Sequence, residues 1–310
     1  MAVSCGTRRI PRGCFVRKLL EMIGREGRRR LPPRQNSFRA IAILIVTPIV
    51  GLIGVSLWMF FLRGAPVPKP AVRKKPVVVA AAVIPAPKPR HRGDIVMILD
   101  DVGFDHQPLA AAMRIDPNIN FAVLPNSQRA GEFATKLHAR GFEVLCHLPM
   151  EPEGFPRVSP GSGAVLTSMS DEEIVRTTNA NVGEIPFARG VNNHMGSRAT
   201  ADRRVMTTVL AALPKGMYFI DSRTTGASVA AKVARQLNVR TASRNVFLDD
   251  VQDRQAIRSQ LRELAREAEE HGMAVGIGHM YPTTVEVLSE AAPVLRREGF
   301  RFVRASEAVR

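Results

Sequence analysis

From residue 94 onward, short apolar runs alternate with longer stretches in which apolar positions recur every three or four residues. Such runs suit strands, and the longer period suits amphipathic helices. IVMIL (95–99) predicts a first strand and QPLAAAMRI (107–115) the helix after it. INFAVL (119–124), FEVLCH (142–147), ARGVNNH (188–194), MYFID (217–221), VRTAS (239–243), MAVGIGH (273–279) and FRFV (300–303) predict further strands. The helices between them carry start and stop signals. AGEFATKLHARG (130–141) ends on Gly141, and in SMSDEEIVRTTNANV (168–182) Ser170 and Glu173 have capping-box spacing. Asp202, Ser228 and Asp253 stand where they can cap RRVMTTVLAAL, VAAKVARQL and RQAIRSQLRELAREAEEHG. TVEVLSEAAPVLRREG (284–299) is the last helix. A run of about eight strand–helix units implies an α/β fold with a parallel sheet, and that number favours a barrel over an open sheet.

The first 93 residues follow a different pattern. Residues 40–62, AIAILIVTPIVGLIGVSLWMFFL, contain no charge, which is long enough for one helix to cross a hydrocarbon core. The run is too long and starts too late for a cleaved signal peptide, so it predicts a single uncleaved anchor. A basic arm (1–39) precedes it. A linker (63–93) follows, with seven prolines and no acid, a composition that stays extended and builds no core. Basic residues flank the span almost equally. The eleven in the arm favour an N-terminus in the cytoplasm and a domain on the periplasmic side of the inner membrane.

Charge is just as unevenly spread. Residues 1–93 hold 19 Lys and Arg against Glu21 and Glu26, a formal +17, whereas 94–310 hold 25 basic and 26 acidic residues, a formal −1. The domain therefore has no general attraction for phosphate backbones, and nucleic acid is not an expected partner. Of three cysteines, Cys5 and Cys14 lie in the arm and Cys146 is alone in the domain, so no disulfide can form within the domain.

Parallel α/β folds build their sites at the carboxyl ends of strands. There the chain places Asp100 and Asp101, then His147, then Asn193 and His194, then Asp221, then His279. Imidazoles and carboxylates converging on one mouth suit a divalent metal, zinc above all. A nearby cation would also relieve the repulsion between Asp100 and Asp101, leaving one as a ligand and the other as a base. Two plainer alternatives stay open: Asp101 as a helix cap, and His194 as an orienting group.

With ILDDVG, CHLPMEP, GVNNHMGSRAT, FIDSRTT, RNVFLDD and GIGH in view, residues 94–310 resemble the divergent branch of the polysaccharide deacetylases. Their catalytic domains are NodB-like deformed (β/α) barrels. The resemblance implies that Asp100 is the catalytic base and Asp101 a metal ligand. His147 takes the place of the first histidine of the second motif, but Glu151 stands where its partner histidine belongs. The third ligand is thus Glu151 or His194. The arginine-proline-aromatic motif is missing, with NNHMGSR in its place. His279 matches the late histidine that acts as general acid, and Asp221 the aspartate that tunes the site.

The implied reaction removes an N-acetyl group from an envelope glycan with Zn2+ as cofactor, with Asn192 or Asn193 as oxyanion donors and Arg223 as a further substrate contact. Tyr281 is placed either to stack a sugar or to enter a helix. Aromatic platforms are otherwise scarce, because Trp58 lies in the apolar run and Tyr218 is the only other tyrosine. Two readings compete: hydrolysis of another amide or ester, and an idle barrel that binds a glycan or partner as an envelope scaffold.

Overall fold

A computed structural model describes residues 90–310, together with 54–56 and 58–59. The basic arm, nearly all of the apolar run 40–62 and almost the whole linker lie outside the described residues. Among the described residues no helix is long and apolar enough to cross a membrane.

Among the described residues nine parallel strands form one sheet: β1 (Gly93–Val102), β2 (Asn120–Val123), β3 (Glu143–Met150), β4 (Gly190–Met195), β5 (Tyr218–Asp221), β6 (Thr241–Ser243), β7 (Val246–Phe247), β8 (Met273–His279) and β9 (Phe300–Val303). Their order is β6-β5-β4-β3-β2-β1-β8-β7. On one side β1 pairs with β8 along its length. On the other it pairs first with β9 and then with β2. Within residues 90–310 the α-helices are α1 (Leu109–Ala112), α2 (Ala130–Ala139), α3 (Asp171–Glu184), α4 (Arg203–Ala212), α5 (Ala230–Gln236), α6 (Arg254–His271), α7 (Pro282–Arg297) and α8 (Ala305–Ala308).

The sheet curls but does not close, so the expected barrel is a half-barrel. Only Arg244 and Asn245 separate β6 from β7. Parallel neighbours need a crossover of a dozen or more residues, so these two strands cannot pair, and a slit remains.

Alternation along each strand sorts the side chains. Ile95, Met97 and Leu99 join Val144, Cys146 and Leu148 in the layer under the helices. Val96, Ile98, Leu145, Ile220, Val275 and Ile277 fill the concave side. Each such buried aliphatic side chain stabilises the fold by about 1.5–3 kcal/mol. The N-terminal end of the concave side is plugged by the last residues of the chain. Glu143, at the start of β3, is buried and accepts from Tyr218 Oη (2.7 Å), Ser306 N (2.7 Å) and Ser306 Oγ (2.6 Å). Arg310 and Thr241 exchange two backbone hydrogen bonds, which extends the seal to β6. Gly190 lets Tyr218 lie across β4, since a Cβ there would stand 2.3 Å from the ring.

Most predicted elements and caps are present, including the Ser170–Glu173 capping box and the Asp202 and Asp253 caps. Three expectations need correction. The helix expected over 107–115 is a single turn, α1, because Pro108 sets its start and Pro117 drives Asp116 out of helical geometry. Val229 rather than Ser228 stands at the start of α5, although the Ser228 hydroxyl still accepts from Ala230 N (3.3 Å) while donating to Asp221 Oδ2 (2.8 Å). VRTAS becomes a strand only over Thr241–Ser243.

Candidate active site

The concave set of β1 runs 96, 98, 100, so plain alternation carries Asp100 to the open mouth above Ile98. Asp101 would then face the helices. It does not, because its φ is 57° and the pairing of β1 with β2 shifts register between Leu99 and Val102. A bulge of this kind re-aims a side chain, and aspartate tolerates the left-handed region better than most residues. Gln107 holds the bend: its Nε2 donates to Asp101 O (2.6 Å), and its Oε1 accepts from Gly103 N (2.9 Å) and Phe104 N (3.1 Å). Both carboxylates therefore reach the same mouth. Alternation also brings His147 above Leu145 on β3, Asn192 and His194 on β4, and His279 above Ile277 on β8.

Three atoms converge. Asp101 Oδ1 lies 3.0 Å from His194 Nδ1 and 3.3 Å from His147 Nε2, and the two imidazole nitrogens are 3.1 Å apart. Asp101 Oδ1 is buried, yet neither contact has the direction of a hydrogen bond, so this oxygen has no partner. Asn192 sets the His147 tautomer: its Nδ2 donates to Asp100 Oδ1 (2.9 Å), which leaves its Oδ1 to accept from His147 Nδ1–H (3.0 Å). His147 Nε2 thus turns a lone pair towards Asp101 and His194. An unpartnered carboxylate oxygen with two imidazole nitrogens is a donor set that fits a divalent cation, with coordination positions left open. Asp101, His194 and His279 keep 15–25% side-chain exposure, so the cluster opens to solvent. Asp100 and His147 behind them are sealed.

The two aspartates are electrostatically distinct. Burial pushes the Asp100 carboxyl above the usual range, against the pull of His147 and His279. Burial also opposes ionisation of Asp101, but His147 and His194 outweigh it and hold that carboxyl well below the usual range. Environments that separate two neighbouring carboxyl groups divide their roles between base and ligand. Burial alone would lower the His147 pKa; Asp100 and Asp101 instead raise it.

His279 is held by a residue to which sequence reasoning gave no role. Asp249 accepts from His279 Nδ1 (3.0 Å), from His279 N (2.7 Å) and from Thr284 Oγ1 (2.6 Å). Burial opposes the charge on His279, but Asp249, Asp100 and Asp101 push its pKa up to about 9. The signal was the second LDD at 248–250, obscured because β7 is only two residues long. Arg244 also had no assigned role. Its Nε donates to Ser222 O (2.6 Å), and its guanidinium lies 4.9 Å over the Phe247 ring, whose edge meets His279.

Other expected site residues are placed elsewhere. The Glu151 carboxylate is buried among Thr167 N (2.5 Å), Thr167 Oγ1 (2.7 Å) and Arg198 Nη1 (3.0 Å). It ties the loop after β3 to the end of β4 and is not among the converging donors, which leaves His194 as the third. Asp221 is consumed by the turn that follows it, accepting from Arg223 N (2.9 Å) and Ser228 Oγ (2.8 Å). The expected partnership with the site belongs to Asp249 instead. Both asparagines are engaged within the fold. Asn193 accepts from Ser222 N and donates to Met195 O, and the second Asn192 N–H faces Ser222 Oγ at 3.4 Å. Tyr281 starts α7, and its ring centroid lies 5.1 Å from that of His279, so it stands at a helix entry and beside the site. Arg223 is exposed and in the left-handed region, with φ 46°.

Comparison with known proteins identifies the family. The model of the divergent polysaccharide deacetylase family matches residues 97–309. The uncharacterized protein YibQ of Escherichia coli is 36% identical over 218 residues, covering 70% of this chain and 68% of that protein. An uncharacterized protein of Haemophilus influenzae is 34% identical over 195 residues, covering 63% of this chain and 69% of its own. Among solved structures, an uncharacterized protein of Agrobacterium tumefaciens shares the fold with a TM-score of 0.67 at 20% identity, over 71% of this chain and 90% of that one. The chain belongs to the divergent polysaccharide deacetylase family.

Proposed function

We propose that the protein is a metal-dependent hydrolase that removes N-acetyl groups from an envelope glycan. The observation that carries this reading is the convergence of Asp101 Oδ1, His147 Nε2 and His194 Nδ1 between Asp100 and His279. A divalent cation held by those three atoms, zinc being the choice that suits two imidazoles and a carboxylate, supplies Lewis acidity to an amide carbonyl. The chain's own groups do the rest. Asp100, with its carboxyl pKa raised and its Oδ1 fixed by Asn192, takes the proton of the attacking water. His279 carries its Nδ1 proton towards Asp249, turns Nε2 to the mouth, and protonates the departing amine. Tyr281 offers a face to the sugar beside His279.

The apolar run 40–62 and the basic arm support placing this domain outside the inner membrane on a single anchor. The first test is elemental analysis of the full-length protein. About one zinc per chain is expected, lost in both Asp101→Ala and His147→Ala. Wild-type protein that stays metal-free after reconstitution would sink the mechanism and favour an idle scaffold. Acetate release from a panel of N-acetylated glycans, amides and esters then separates a glycan deacetylase from other hydrolases.

A further inference from the structure

Beside the slit between β6 and β7 lies an open cleft of about 730 Å³. Arg223, Arg244 and Phe247 line it together with Asp250, Glu263 and Glu267. The acids differ in how far they are neutralised. Arg266 donates to both Glu263 and Glu267, and Asn245 Nδ2 also faces Glu267 at 3.3 Å. Asp250 is exposed. Among the described residues neither Arg223 nor Arg244 makes an ion pair. The hydrogen bonds of the Arg244 side chain go to the backbone oxygens of Ser222 and Arg223, which fix it in place without cancelling its charge. Nη1 is left without a partner. Burial, and after it the Arg223 charge, keep the Arg244 pKa below the usual arginine range, against the pull of Asp221, Asp100 and Asp250.

Phe247 links this cleft to the reacting centre. The Arg244 guanidinium stacks on Phe247, and the Phe247 ring meets the His279 ring at 5.2 Å and 85°. A group bound there lies one aromatic ring away from the histidine that would protonate the leaving nitrogen. A fixed planar fork with free N–H groups recognises carboxylate and phosphate in particular. We infer that this slit is a subsite for an anionic substituent, carboxylate or phosphate, carried on the glycan next to the acetylated sugar and read by Arg223 and Arg244. Resting on the glycan reading above, the inference narrows the substrate to an acidic polymer.

The test is calorimetric binding of three oligosaccharides of equal length to the full-length protein: a neutral N-acetylglucosamine tetramer, one bearing carboxylates, and one bearing phosphate monoesters. One of the acidic probes is expected to bind about tenfold more tightly than the neutral one, with the gap narrowing at high salt. Which acid wins identifies the group. Arg223→Gln, at an exposed position whose side chain supports no packing, should remove the preference and leave neutral binding in place. Arg244→Lys should keep part of it; Arg244→Gln should not. In turnover, Arg223→Gln should raise KM for the acidic probe at nearly constant kcat. Equal binding of all three probes would overturn the subsite and leave the glycan reading intact. Failure of all three to bind would overturn the glycan reading, and the subsite with it.

Discussion

Asp249 supports His279 much as Asn192 supports His147: each occupies one imidazole nitrogen and so decides what the other offers. The consequences differ, because Asp249 brings a charge and Asn192 does not. In chelator-treated protein, His279 has a folded pKa of about 9 against an ordinary value of 6.5. Its stabilising contribution is therefore complete below about pH 6.5 and disappears as pH rises through about 9. Urea midpoints measured across that range should fall with pH in the wild type and less steeply in Asp249→Asn, where Asp100 and Asp101 still act on His279. That variant should also lose about 1–3 kcal/mol of stability at neutral pH and slow turnover roughly a hundredfold. Glu151 and His194 give the complementary comparison. Glu151→Gln should retain its zinc while losing about 1–3 kcal/mol through the Arg198 contact, whereas His194→Gln should lose the metal. A zinc-free Glu151→Gln would return the glutamate to the ligand set.

At the scale of elements, the alternation of strands is legible in the sequence because buried parallel strands read as short apolar runs. The residues that end those runs can therefore be named from the amino-acid order alone. Asp100, His147, His194 and His279 do meet. What alternation could not show was the bulge at Asp101, because nothing in ILDDVG marks which aspartate takes φ 57°. Nor could spacing choose between Glu151 and His194, since the choice depends on where Arg198 and Thr167 fall in space. Asp249 was hidden for a third reason: a two-residue strand leaves too little periodicity to read. Packing between elements offers its own check. Gly190→Ala would drive a Cβ into the Tyr218 ring, which also anchors Glu143, and should cost about 1–3 kcal/mol by urea unfolding.

For the whole molecule, the half-barrel has one open end and one sealed end. The sites at the two ends share strands, with β3 holding Glu143 at its start and His147 four residues later. Deleting residues 305–310 should leave the Glu143 carboxylate with only Tyr218 and uncover Val303, so the shortened chain should be markedly less stable and prone to aggregate. Topology is tested on the same scale: a reporter active only outside the cytoplasm, fused after residue 93, should be active, and become inactive when the run 40–62 is deleted.

The central strand has a further consequence, one of timing. β1 is the first of the described strands to be made, yet one of its sides is completed by β8, nearly the last. Until residues 273–279 have emerged, an apolar strand carrying both aspartates stands with an open edge, the arrangement most prone to wrong pairing. If the domain is exported on its anchor, that interval spans the passage of more than half of the chain. Productive folding must then wait for the C-terminal strands, and any agent that shields β1 meanwhile sets the yield of active protein.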